Sequence, residues 1–259
     1  MKKIGFFDSG LGGLSVLRHA PTRINDAQFF YVADSAYAPY GEKPESLVLE
    51  RSLQLADFFL KKEVDALVIA CNTATAVAAE EVRSRLSIPV VAMEPAIKPG
   101  ILHSQTQKIV VLATKATLKS ERYKNLKDLH DWDGKIEECI CHEWVTAVES
   151  GNLSFEESCK MVKKQLDKVK IKDADTYILG CTHFPFLEKE IKQILNKGIR
   201  IIDPSLAVIE QLMRILRIES DNNLSDVSNI EFYTSGSTSE VEKRTFQLLN
   251  WQIKAKPLD

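Results

Sequence analysis

Ala66-Leu67-Val68-Ile69-Ala70-Cys71-Asn72-Thr73 and Thr176-Tyr177-Ile178-Leu179-Gly180-Cys181-Thr182-His183 repeat one frame, in which an apolar run ends in a cysteine followed by polar residues. A second run follows each at almost the same distance: Val90-Val91-Ala92-Met93-Glu94-Pro95 after Cys71, and Ile201-Ile202-Asp203-Pro204 after Cys181. Runs that are apolar throughout mark parallel strands covered on both faces. Strands are therefore predicted at residues 66–70, 89–93, 176–180 and 200–203, and by the same criterion at 3–7, 29–33, 108–114 and 136–140. Between them apolar residues recur at helical spacing: Leu49, Leu53, Ala56, Leu60 and Val64, with Pro44-Glu45 as the helix start; Phe155, Cys159, Val162, Leu166 and Val169; and Leu187, Ile191 and Ile194, closed by Gly198. Strand, helix and strand in this order give right-handed crossovers and a doubly wound sheet. The second half repeats the plan of the first, so the prediction is two similar α/β lobes. After Pro204 come a helix (Leu206, Ile209, Met213, Leu216), a polar gap at 221–229, a strand at 230–235 and a last helix reaching Trp251.

The 259 residues are 44% hydrophobic and 27% charged, enough apolar material for a real core in one large domain or two small ones. A formal net charge of −2 gives no general attraction to nucleic acid or to an anionic membrane. No unbroken apolar stretch approaches the ~18 residues of a membrane span. Asp8 interrupts the first apolar run too early for a signal peptide. The five cysteines are odd in number and not spaced as a disulfide framework, which points to a reducing cytoplasm.

Ligands of an open parallel sheet bind beyond the carboxyl ends of its strands, so residues placed there are the candidates for chemistry. Asp8-Ser9-Gly10-Leu11-Gly12-Gly13 follows the first strand. Its glycines and free N–H groups either receive an anion or simply tighten a turn, and the loop lacks the spacing of a dinucleotide fingerprint or a P-loop. Asp8 is either a helix cap or a site residue. Asp34 and Ala38-Pro39-Tyr40-Gly41 follow the second strand, and Thr114-Lys115-Ala116-Thr117 follows the first strand of the second half. Cys71 and Cys181 each begin a turn into a helix, where N–H donors and the dipole favour thiolate. Two thiols in matched frames suit reversible proton transfer at a carbon atom held between them. Cys159 reads as a core residue. Cys139 and Cys141 share a strand face without the partners of a zinc site. His183 lies two residues from Cys181, whereas His19, His103, His130 and His142 read as surface or incidental.

Taken in order, Phe7-Asp8-Ser9-Gly10-Leu11-Gly12-Gly13, Ala38-Pro39-Tyr40-Gly41-Glu42-Lys43, Ala70-Cys71-Asn72-Thr73-Ala74, Glu94-Pro95, Ala113-Thr114-Lys115-Ala116-Thr117 and Leu179-Gly180-Cys181-Thr182-His183-Phe184-Pro185 resemble the bacterial glutamate racemases of the aspartate/glutamate racemase superfamily, over nearly the whole chain. The resemblance implies two pseudo-symmetric flavodoxin-like lobes, each a mostly parallel sheet flanked by helices, with the active site between them. The lobes would comprise residues 1–95 plus 206–259 and residues 96–205. It also implies interconversion of L- and D-glutamate without a cofactor or metal, supplying D-glutamate to peptidoglycan. By motif, Cys71 and Cys181 would be the acid/base pair, Cys71 acting on the D-isomer and Cys181 on the L-isomer, assisted by Asp8 and His183. Asp8, Ser9, Tyr40, Gly41, Asn72, Thr73, Thr182 and His183 would bind substrate, and Glu149 matches a glutamate near the site. The expected partner is a small-molecule substrate rather than nucleic acid or membrane, and the expected assembly is a homodimer. Tyr37 replaces a common arginine, and Ala33 and Ala113 replace common glycines. Met1 stands directly before the first strand, so activation by a cell-wall precursor through an N-terminal extension is not expected. Competing readings are a racemase for aspartate or another acidic amino acid, a non-catalytic member binding DNA gyrase, and a thiol redox protein; the last is disfavoured by the lack of a Cys-x-x-Cys motif.

Overall fold

The unbroken apolar runs become two sheets built only of parallel strands. The computed structural model describes residues 1–129, 132–195, 197–219 and 229–258, so His130 and most of the polar gap at 221–229 lie outside the described residues. The strands are β1 (Lys2–Asp8), β2 (Ala27–Ala33), β3 (Ala66–Ile69), β4 (Val90–Ala92), β5 (Lys108–Ala113), β6 (Lys135–Ile140), β7 (Thr176–Gly180), β8 (Arg200–Ile202), β9 (Ile230–Thr234) and β10 (Ala255–Pro257). The first sheet has the order β10-β9-β2-β1-β3-β4 and the second β6-β5-β7-β8. Every pairing is parallel. In both sheets the chain steps outward from its first strand and then returns to the opposite side. That reversal opens a crevice between β1 and β3 in one lobe and between β5 and β7 in the other.

The helices are α1 (Leu14–Leu17), α2 (Glu45–Lys61), α3 (Asn72–Arg85), α4 (Ile97–His103), α5 (Lys115–Lys119), α6 (Glu121–Asp128), α7 (His142–Ser150), α8 (Phe155–Leu166), α9 (Glu188–Ile194), α10 (Ser205–Leu216) and α11 (Thr238–Leu249). Side chains alternate across each sheet, so each lobe has a core on both faces. Ile4, Phe6, Phe29 and Val68 meet Leu14, Ile209 and Leu212 on one side of the first sheet, while Phe7, Val32 and Leu67 meet Val48, Leu55, Phe59 and Val82 on the other. In the second lobe Val110, Leu112 and Leu179 pack with Trp144, Val162 and Ile191, and Ile109, Val111 and Ile178 pack with Ile97 and Tyr123.

Two helical stripes differ from the sequence reading, and for the same reason. The buried face of α2 is Val48, Ser52, Leu55, Ala56 and Phe59, whereas Leu49 and Leu53 lie at its margin and Leu60 is 41% exposed. Ser52 occupies the centre of that face by donating its hydroxyl to Val48 O at 2.7 Å, so a polar residue hides the true period. In α8 the polar Ser158 is buried beside Val162 and Leu166; Phe155 is 55% exposed and Cys159 only half-buried, not a core residue. Cys139 lies in β6 but Cys141 does not, since it begins α7; their sulfurs are still 3.8 Å apart. His103 and His142 are exposed, whereas His19 is half-buried and held down to about 4 by burial and by Arg18 and Arg23. The short strand β10, which the sequence reading lacked, lengthens the first sheet beside β9.

Phe59 is the keystone of the α2 contact. It stacks on Phe7 with ring centroids 6.5 Å apart, meets Phe58 edge-on at 5.3 Å, and lies so close to β1 that a Cβ at Gly5 would come within 2.5 Å of its ring. Phe59→Ala should cost about 3–5 kcal/mol of unfolding free energy. A shift of the urea midpoint with unchanged slope measures this, and an unshifted midpoint would remove Phe59 from that role.

Candidate active site

The residues that follow strands at the two crevices converge on one cavity. Asp8 ends β1 and Cys71 follows β3; Thr114 follows β5 and Cys181 follows β7. Ser9, Tyr40, Gly41, Cys71, Asn72 and Thr73 of the first lobe line the cavity together with Thr114, Val145, Cys181, Thr182 and His183 of the second. Both thiols therefore face the same space. The cavity's volume is ≈ 10 Å³, room for about one water, so the lobes are closed on each other. Pro39, Gly41, Thr114 and Val145 separate it from an outer chamber of ≈ 370 Å³. Two of these walls come from each lobe.

Cys71 is the N-cap of α3, its Sγ accepting from Ala74 N–H at 3.4 Å and lying 3.9 Å from Ser9 Oγ. The N–H groups pull the thiol toward ionisation as the sequence suggested, but they lose. Burial, and then the Asp8 carboxylate, push Cys71 well above its ordinary value. Cys181 begins a 3₁₀ turn (Phe184–Leu187) rather than an α-helix, because Pro185 follows so soon. Its Sγ is 3.7 Å from His183 Nδ1.

Asp8 is fully buried and does not cap α1, whose N-cap is Gly13. Its oxygens accept from Gly10 N–H at 3.0 Å and from the Thr182 hydroxyl at 3.3 Å. Burial raises its carboxyl, against the pull of His183. His183 Nε2 lies 2.5 Å from Glu149 Oε1, and the same oxygen accepts from Leu11 N–H at 2.7 Å. Burial pushes His183 down, but its hydrogen bonds with Cys181 and Glu149 outweigh this and hold it well above its ordinary value. Burial likewise pushes Glu149 up, and the His183 bond prevails and keeps it low. The result is an imidazolium–carboxylate pair within the second lobe, tied to the first lobe by the Leu11 N–H.

The glycine loop has a different use from the one its sequence suggested. The anion at its N–H groups is the Glu149 carboxylate of the other lobe. A Cβ on Gly10 would meet Glu149 Oε1 at 2.1 Å, and one on Gly12 would meet His183 Nδ1 at 2.3 Å. Those glycines let the second lobe approach.

Asn72 is buried with neither its amide oxygen nor its amide nitrogen partnered among the described residues, and it lines the cavity. Thr73 Oγ1 meets Thr114 Oγ1 at 3.1 Å across the junction. Tyr40 donates to Asp34 at 2.5 Å, and Arg51 grips the same carboxylate at 2.7 and 2.9 Å while stacking over Tyr37 at 4.1 Å. Tyr37, in place of arginine, thus supports the arginine supplied by α2. All the site residues named from sequence lie at this junction. The strand-end rule pointed to the segment beginning at Thr114, whereas nothing in the sequence marks the apolar Val145. Ligand atoms of Asp8, Glu149 and His183 lie within 4.8 Å of one another, close enough for a metal ion, but here they are engaged with each other and with Gly10 and Leu11.

Paired parallel sheets with a thiol at each crevice, facing one closed polar cavity, define a two-lobed racemase fold. A sequence model described as Asp/Glu/Hydantoin racemase matches residues 15–212, and the chain belongs to that family. It is 40% identical to the glutamate racemase of Clostridium perfringens (strain SM101 / Type A) over 86% of each chain. The structure matches that of Escherichia coli glutamate racemase in complex with L-glutamate and the activator UDP-MurNAc-ala, with a TM-score of 0.85 at 27% identity over 99% of this chain and 97% of that one. It also matches glutamate racemase from Francisella tularensis subsp. tularensis SCHU S4 in complex with D-glutamate, with a TM-score of 0.84 at 27% identity over 100% and 97% of the chains.

Glu149→Gln removes the charge opposite His183 while keeping the side chain's shape. The pair helps hold the fold between two limits: Glu149's share is lost as pH falls through its lowered value, and His183's share as pH rises through its raised one. In the variant, His183 loses its proton at lower pH. The alkaline limb of kcat/KM should shift downward in pH, and an unmoved limb would separate Glu149 from His183.

Proposed function

We propose that this chain is an isomerase that interconverts L- and D-glutamate by proton transfer between Cys71 and Cys181, without a cofactor. The observation that carries the reading is the single cavity shared by the two buried thiols. The substrate assignment draws on relatives named glutamate racemase, and on similar structures holding L-glutamate in one case and D-glutamate in another.

The α-proton of an amino acid is very weakly acidic, so the developing carbanion needs donors on its carboxylate and a water-free site. Asn72, with an unpartnered amide, and the Thr73 hydroxyl are the donors for that carboxylate, with Ser9, Tyr40, Gly41 and Thr182, which donates to Asp8, completing the binding surface. One cysteine, as thiolate, takes the proton from Cα while the other, as thiol, delivers a proton to the opposite face; the reverse reaction exchanges the roles. Cys71 acts on the D-isomer with Asp8 beside it, and Cys181 on the L-isomer with His183 beside it. Burial holds the free Cys71 as a thiol, its proton-donating state, and the substrate ammonium adds a positive charge that favours the thiolate when roles exchange.

Residues 1–95 plus 206–259 and residues 96–205 act as the two jaws, and parting them admits substrate past Pro39, Gly41, Thr114 and Val145. No helix among the described residues is long and apolar enough to cross a membrane. The working form proposed is a cytoplasmic homodimer acting on a small molecule, with D-glutamate passing to peptidoglycan.

Circular dichroism of L-glutamate incubated with the purified protein should decay to zero without added cofactor, and L-aspartate should remain optically active. In D₂O, deuterium should enter the α-position at the rate of turnover. Cys71→Ala and Cys181→Ala should each abolish racemisation, by at least about 10³-fold, with far-UV spectra unchanged. Near-normal racemisation by either variant would refute the two-thiol assignment.

A further inference from the structure

Arg244 is a buried cation outside the thiol machinery, and it makes no ion pair among the described residues. Burying a guanidinium is costly unless its donors are satisfied, so its partners identify its role. Nε donates to Glu149 O at 3.0 Å, a second nitrogen donates to Val148 O, and the third meets Gln247 on the same helix. The two carbonyls belong to the last turn of α7, where helix carbonyls lack partners and the dipole is negative. Gly151 ends that helix in the left-handed region at φ 61°, and a Cβ there would meet the guanidinium at 1.6 Å. That glycine is fixed by its conformation and by the arginine together.

The two helices come from different lobes. Helix α11 packs on β9 and β10 of the first sheet, whereas α7 follows β6 of the second. Arg244 therefore reaches across the junction and holds the backbone of Glu149. The carboxylate of that same residue is held by Leu11 N–H of the first lobe and in turn holds His183. Glu149 is thus fixed at both ends, and His183 is aimed at Cys181 through it.

We infer that Arg244 is a positioning residue for racemisation: it clamps the end of α7 from the opposite lobe, so that closing the lobes sets Glu149, His183 and Cys181 in register. This rests on the two-thiol reading above. Arg244 touches no reacting atom and acts only through Glu149.

Arg244→Ala tests it, with Arg244→Lys as a milder variant that keeps the charge and can still donate to a carbonyl. The alanine variant should lose about 10–100-fold in kcat with little change in KM, the scale of a small displacement in an acid–base relay. The lysine variant should recover part of that loss. The alkaline limb of kcat/KM should move to lower pH, as in Glu149→Gln. Combining Arg244→Ala with Glu149→Gln should cost no more than Glu149→Gln alone, because both act on one element. An unmoved pH profile in both Arg244 variants, or losses that multiply in the double variant, would make Arg244 a fold-stabilising residue only and overturn the inference. Turnover surviving in Cys71→Ala or Cys181→Ala would instead strike the two-thiol reading. Inactive cysteine variants beside a normal Arg244→Ala would strike the clamp alone.

Discussion

A single carboxylate oxygen, Glu149 Oε1, meets Leu11 N–H of one lobe and His183 Nε2 of the other. Each lobe has its own apolar cores, and few of the core side chains cross between them. The junction is instead held by polar contacts: Glu149 on the glycine loop, Thr182 on Asp8, Thr73 on Thr114 and Arg244 on the end of α7. With water excluded these contacts are strong, but each also has a partner in water when the lobes part. Parting the lobes of a molecule built this way would leave the bulk of each core covered. The contacts that hold the lobes together are also those that surround the cavity.

The duplicated architecture is not duplicated chemically. Both thiols follow the strand beside the crevice of their sheet, yet Cys71 has the carboxyl of Asp8 for a neighbour and Cys181 has the imidazole of His183. Burial raises the acid beside Cys71, while hydrogen bonds with Cys181 and Glu149 raise the base beside Cys181. A transfer that runs in both directions needs a proton available on either side of the substrate carbon. Under the two-thiol proposal, an acid stands beside one thiol and an imidazole beside the other.

The strands, their parallel arrangement and the placement of Asp8, Cys71 and Cys181 were legible because an unbroken apolar run has one cheap solution, a strand covered on both faces. The helix faces were less legible. Ser52 and Ser158 sit at the centre of buried faces by returning their hydroxyls to the backbone or being covered there, and a pattern of apolar residues cannot see them. The electrostatics of Cys71 were misjudged for a related reason: sequence shows the helix N-terminus that lowers a thiol's pKa but not the depth of burial that raises it. Val145 and Arg244 left no signal at all. An apolar residue in a helix and an arginine near the end of a chain gain meaning only from what the other lobe brings against them.

The tail explains how two like lobes come to behave differently. Strands β9 and β10 extend only the first sheet, and α11, laid over them, contributes Leu248 to the apolar margins of both lobes and Arg244 to α7. Without such an addition the junction would rest on contacts made at the cavity itself, and every fluctuation there would act on the substrate. An anchor at the far end of α7 moves part of that restraint away from the reacting atoms. Because Arg244 bonds the carbonyl of Glu149 itself, that restraint reaches the carboxylate facing His183 directly, and Val145 on the same helix is held with it.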